Sequence, residues 1–176
     1  MPEPSAALVA PWHDFFVLIG TAAATLIGAM FVVVSIGIGI LSRNRPTAIR
    51  VFLTTTVVHL STVLSGCILT LVPVLEPRWQ ATIAGVAGLA GVIYSVHVFV
   101  GFRQHRGTVL SDWLWYAVFP FVAYAVLVTA AVLGLYNASD GLDLFAAVLT
   151  ALLVAGLRNA WDMIVFFVTI DRSAVD

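Results

Sequence analysis

Arg158 and Asp162 stand four residues apart inside an apolar run, with Asn159 between them. On a helix that spacing stacks a guanidinium and a carboxylate one turn apart on a single face, where they can pair. A second apolar run carries His59 among Thr54, Thr55, Thr56, Thr62 and Ser65, and there Thr55, His59, Thr62 and Gly66 share one face. Imidazole titrates near neutrality and hydroxyls both donate and accept, so His, Asp and Thr together suit proton transfer. In hydrocarbon such groups are costly: a charge at mid-membrane depth costs about 2.5–3.5 kcal/mol on insertion scales. An embedded pair therefore needs a partner or a task.

The elements that must position these groups are membrane helices. The chain has 176 residues, of which 61% are hydrophobic and 10% charged, too apolar for a soluble domain of this size. Runs free of Asp, Glu and Arg cover 15–42, 51–75, 79–102 and 113–139, and a fifth, 144–170, is interrupted only by Arg158 and Asp162. About 20 apolar helical residues cross a bilayer. The reading is an all-α, single-domain bundle of five transmembrane helices, spanning about 14–41, 47–74, 80–102, 112–136 and 142–170. The first run lacks a basic flank and is too long for a signal-peptide core, so it is expected to be a retained span.

Orientation follows from arginine, the only basic residue besides histidine. Arg43, Arg45, Arg50, Arg103, Arg106 and Arg172 fall on one side, and Arg78, next to Glu76, on the other. The positive-inside rule then places the N-terminus outside and the C-terminus in the cytoplasm. Short connections imply that sequential helices are antiparallel neighbours. Pro46 suits the first turn of helix 2, Pro73 and Pro77 close that helix, Ser111-Asp112 resembles an N-cap for helix 4, and Asp140-Gly141 a turn before helix 5. Trp12, Trp79 and Tyr136 mark the outer edge, and Trp113, Trp115 and Tyr116 the inner one. Pro120 should bend helix 4 and free a carbonyl near Tyr116.

Counting at 1.5 Å per residue from the inner edge puts His59 and Asp162 roughly 13 Å deep, with Ser35 and Tyr94 in the same layer. Arg158 falls about 6 Å further out, near Thr62. Three readings of this layer are open. Arg158, Asp162, Asn159 and His59 satisfy one another and fix helix register; or the layer is an ion or proton pathway; or His59 and His97 hold a haem, with Arg158 near a propionate.

Helix 1 has small and hydroxyl residues at Thr21, Thr25, Gly28, Ser35 and Gly39, and a small-xxx-small row at Gly20, Ala24 and Gly28; helix 3 has Ala84, Gly88, Gly91 and Ser95. Both stripes let helices approach closely, the usual basis of association in lipid. Several function classes are disfavoured. A net charge of −1 gives no field for nucleic acid, and the lone Cys67 allows neither an intrachain disulfide nor a thiolate cluster. P-loop, His-Glu-x-x-His and Gly-x-Ser-x-Gly signatures are absent, and nothing in the spacing selects a hydrolase built from Ser35, His59 and Asp162. No enzymatic activity, cofactor or metal is expected.

The run Trp12-x-Asp14-Phe15, Gly20-x-Ala22-Ala23-Ala24-x-Leu26-x-Gly28, Phe31-Val32 and Ser35 resembles a family of small uncharacterised bacterial multi-pass membrane proteins. Val58-His59 and Arg158-Asn159-Ala160-Trp161-Asp162 are similar to the same family's second and last helices. Some relatives carry an automatic label as modulators of a membrane-bound AAA protease, and the resemblance brings no established activity or site. It implies a bacterial cytoplasmic-membrane protein. With the polar layer, the expectation is an oligomeric ion or proton pathway whose partners are the bilayer and further copies of the chain. The alternative is a non-transporting accessory or scaffold subunit of a larger membrane complex.

Overall fold

Prolines set where several helices begin. In the computed structural model, which describes residues 8–41, 46–73, 75–103 and 114–173, a short 3-10 turn (Ala10–Trp12) leads into α1 (His13–Leu41). Helices α2 (Pro46–Leu71) and α3 (Pro77–Arg103) each start on a proline, where the missing N–H has no intrahelical partner to lose. Pro77 therefore opens α3 and does not close α2. The Glu76 carbonyl accepts from the Trp79 and Gln80 amides at 2.9 and 3.2 Å. Helix α4 (Phe119–Tyr136) has Pro120 in its first turn and a π-helical turn, Leu114–Val118, immediately before it. The irregularity expected of Pro120 is a widened turn, which relieves the clash of its ring with the carbonyl four residues back.

Helix α5 (Ala138–Ser173) is separated from α4 by one extended residue, Asn137. The Asn137 side-chain oxygen accepts from the Ser139 amide, and its carbonyl from the Gly141 amide. Asp140-Gly141 therefore lies inside the first turn of α5, not in a loop before it. Gly141 rests directly on Gly134, an approach that leaves no room for a Cβ. The segment with Ser111-Asp112 lies outside the described residues.

The packing order is α1–α2–α5–α4–α3, with α5 at the centre. Helices α2 and α3, consecutive in the chain, barely touch along their length, contrary to the expectation of neighbouring sequential helices. The reason is steric: α5 fills the space between α2 and α4, with Gly66 and Gly156 admitting α5 and α2 respectively. A Cβ on Gly66 would meet Leu149 and Phe145 at 3.1 Å, and one on Gly156 would meet Leu60 at 2.6 Å. Helices α3 and α4 mesh through Gly85 on Ala131, Gly88 on Val128 and Gly91 on Tyr124. Small residues substitute here for the hydrophobic drive that lipid removes.

The core is built from Phe16, Val63, Cys67, Leu127, Leu149 and Leu152, all buried. Large apolar side chains also cover the outside, among them Leu18, Phe31, Val86 and Ile93. The five helices are long and apolar enough to cross a membrane, and among the described residues there is no strand. The composition and the fold together describe a multi-pass membrane protein.

Candidate functional site

Several hydroxyls in this bundle are tied to their own helix. Thr62, Thr70 and Ser95 donate to the carbonyls four residues back, as do the exposed Thr21, Thr25 and Ser35 on α1. Tyrosine hydroxyls from α3 and α4 reach across to α2 on its His59 face. There the Tyr124 hydroxyl lies 3.0 Å from His59 Nδ1 and 3.2 Å from Thr62 Oγ1. On the α3 side, the Tyr94 hydroxyl lies 3.0 Å from Thr55 Oγ1.

Tyr124 reaches α2 only because α3 lets it past. Its ring occupies the space a Cβ on Gly91 would need. The side chain is fully buried and leans toward the start of α4, the direction every helical side chain takes. That lean brings its hydroxyl to the His59 turn of α2.

Proton counting orders the chain of groups. With the single Thr62 proton on the Val58 carbonyl at 2.9 Å, Thr62 Oγ1 can only accept from Tyr124. Tyr124 must then accept from His59, which places the ring proton on Nδ1. His59 Nε2 is left with a bare lone pair. It is buried and has no hydrogen-bond partner. Native proteins leave few buried polar atoms in that state.

Asn159 is the second such residue. It is buried, and neither its amide oxygen nor its amide nitrogen has a partner. Its position follows from the α2/α5 register, in which Gly66 faces Leu149 and Leu60 faces Gly156. The two helices are antiparallel, His59 is level with about residue 157, and Asn159 lies within one turn of it along the axis, about 3 Å. Asn159 shares the α5 face of Gly156 that packs on α2.

Arg158 and Asp162 are placed differently from a core pair. Their side chains are 42% and 37% exposed, and Arg158 Nε stands 3.7 Å from Asp162 Oδ2, beyond hydrogen-bond range. The guanidinium lies over the Trp115 ring at 4.8 Å. Neither residue joins His59 or Asn159, so the four do not form one network. The depth count also shifts: the α2/α5 register puts Arg158 level with His59, and Asp162 about a turn and a half toward the Trp115 end. Helix α5 has 36 residues and continues to Ser173, so counting inward from the end of the apolar run misjudges the depth of Asp162.

The remaining expected residues divide between inside and outside. Ser35 is exposed and bonded to the Phe31 carbonyl, remote from this cluster. Gly20 packs on Cys67, whereas Ala24 and Gly28 are exposed, and a Cβ on Gly28 would meet nothing within 4 Å. The small residues of α3, Ala84, Gly88 and Gly91, face inward. His97 is exposed with Nδ1 near the Ile93 carbonyl, so it does not face His59 across a shared space. Among the described residues no group of three or more His, Cys, Asp or Glu side chains could hold a metal ion.

From Thr62 toward the Tyr136 end the core turns apolar, with Val63, Cys67, Phe16, Leu149 and Leu152 filling it. Thr70 is the buried hydroxyl there and is bonded to the Gly66 carbonyl. The polar cluster thus occupies one half of the bundle. No family model matches this chain, and no curated protein or solved structure is significantly similar to it.

Proposed function

We propose that this chain is a bacterial cytoplasmic-membrane protein, N-terminus out and C-terminus in, that carries protons through a site centred on His59. The observation that carries the reading is the buried imidazole with Nδ1 held by Tyr124 and Nε2 unbonded. In this mechanism a proton arriving from the cytoplasmic half binds Nε2 and makes an imidazolium. The Nδ1–H stays on Tyr124 Oη throughout, and loss of the Nε2 proton restores the neutral ring. Asn159, within a turn, supplies an amide oxygen to accept from Nε2–H directly or through one water.

The arginine asymmetry supports the orientation. The apolar half beyond Thr62 acts as the closed side, and conduction requires it to open or to admit water. Reconstitution into vesicles holding a pH-sensitive dye tests the reading across H⁺, K⁺, Na⁺ and Cl⁻ gradients. Proton-selective flux is expected. Vesicles no leakier than protein-free ones under every gradient and potential would count against it.

A non-transporting accessory role is the second reading, favoured by the open α1 face at Ala24, Thr25 and Gly28, whose hydroxyl is already bonded within its own helix. Reproducible co-purification of one larger membrane protein, with no flux, would select it.

A further inference from the structure

We infer that His59 Nε2 and the Asn159 amide hold a water molecule between them, and that this water exchanges the proton with the ring. The exchange rests on the proton reading above; the water site does not. Among the described residues, the buried side-chain polar atoms without a partner are His59 Nε2, Asn159 Nδ2 and Asn159 Oδ1. All three belong to this one pair of residues.

The fold brings the pair together. The register that sets Leu60 on Gly156 and Gly66 on Leu149 puts both residues on the α2/α5 seam, about 3 Å apart along the axis. Helical side chains lean toward the N-terminus of their own helix, and α2 and α5 are antiparallel. His59 therefore leans toward the level of Asn159, and Asn159 back toward the level of His59. The two are fully buried and make no direct hydrogen bond. Polar groups that converge in a core without bonding are the ones a single water bridges.

An amide suits both states of the ring. Beside the neutral imidazole, Asn159 Nδ2–H donates to the water and the water donates to Nε2. An excess proton reaching the water is handed on: a water O–H bond breaks, Nε2–H forms, and the water is left neutral, accepting from the ring. The amide then turns so that Oδ1 accepts from the water. In each state one end of the amide stays unbonded, so the cost of burying it nearly cancels between the two. A carboxylate in its place would hold the imidazolium. Among the described residues no carboxylate faces this seam. Arg158 and Asp162 lie on the exposed side of α5, α1 has no ionisable residue beyond Asp14, and α4 and α3 contribute the phenols of Tyr124 and Tyr94.

Solid-state nitrogen NMR of the full chain in lipid bilayers, with isotopically labelled histidine, reads the site, and loss of a signal in His59→Ala assigns it. At neutral pH the His59 Nδ1 should be protonated and Nε2 bare, and Nε2 should receive magnetisation from water protons. Asn159→Leu should keep that tautomer, which Tyr124 sets, and lose the transfer from water, with Nε2 shifted to the frequency of an unbonded ring nitrogen. No transfer from water in the wild type, or unchanged transfer in Asn159→Leu, would overturn the water site. The wild-type spectrum decides alone if Asn159→Leu does not fold. Transfer from water to Nε2 in protein whose vesicles carry no proton flux would instead overturn the proton reading and leave the water site standing.

Discussion

Tyr124 crosses α3 at Gly91 to reach His59, so a glycine on one helix decides whether an aromatic on a second can bond a histidine on a third. A methyl group at 91 and the Tyr124 ring cannot coexist without movement. Gly91→Ala should therefore destabilise the bundle by about 1–3 kcal/mol, the usual range for overpacking a filled interior. Gly28→Ala adds the same methyl where nothing lies within 4 Å, and should be neutral or slightly stabilising. Unfolding of the two variants in matched detergent micelles compares them directly.

Removing the Tyr124 hydroxyl leaves His59 Nδ1–H buried without an acceptor. Tyr124→Phe should cost about 1–3 kcal/mol, because a stranded buried donor loses its full solvation. Tyr94→Phe removes one contact to Thr55 from a half-buried site and should cost less, about 0.5–1.5 kcal/mol. Equilibrium unfolding gives both values, and the order Tyr124 above Tyr94 is the expected result.

Asn159 supplies the opposite test, since its amide is already unbonded. If that amide serves transport and not stability, Asn159→Leu should fold at least as well as wild type, within about 1 kcal/mol, because it relieves an unsatisfied buried group. Proton flux should fall sharply in the same sample. Stability and flux measured on one preparation separate the two roles.

The helices themselves were legible, because apolar length is a strong signal and charge-free runs end near the observed boundaries. Partner choice was not. Short connections suggest neighbours in chain order, yet α2 packs mainly on α1 and α5 and only lightly on α3, because Gly66, Gly156 and Gly141 let α5 lie close, and no local pattern says which helix a glycine will receive. Arg158 and Asp162 are the most conspicuous residues of the sequence, and they lie on the surface. Tyr124 was missed because an aromatic in an apolar run reads as packing. The available clue was complementary: the small face of α3 at Gly88 and Gly91 required something large opposite it.

Orientation is open to a simple check. Glu3→Cys and Ala174→Cys, made in the Cys67→Ala background, should be labelled by a membrane-impermeant maleimide from outside at position 3 and protected at position 174 in intact cells. Labelling at 174, or protection at 3, would reverse the orientation that the arginines support.

The most direct measurement of the central claim is proton flux per protein in vesicles carrying wild type, His59→Ala or Thr62→Val, driven by a potassium–valinomycin potential and read by an entrapped pH dye. Wild type should acidify or alkalinise the lumen as the sign of the potential dictates, His59→Ala should match protein-free vesicles, and Thr62→Val should retain flux because Nε2 is untouched. Flux in His59→Ala equal to wild type would contradict the account, whatever the other variants show.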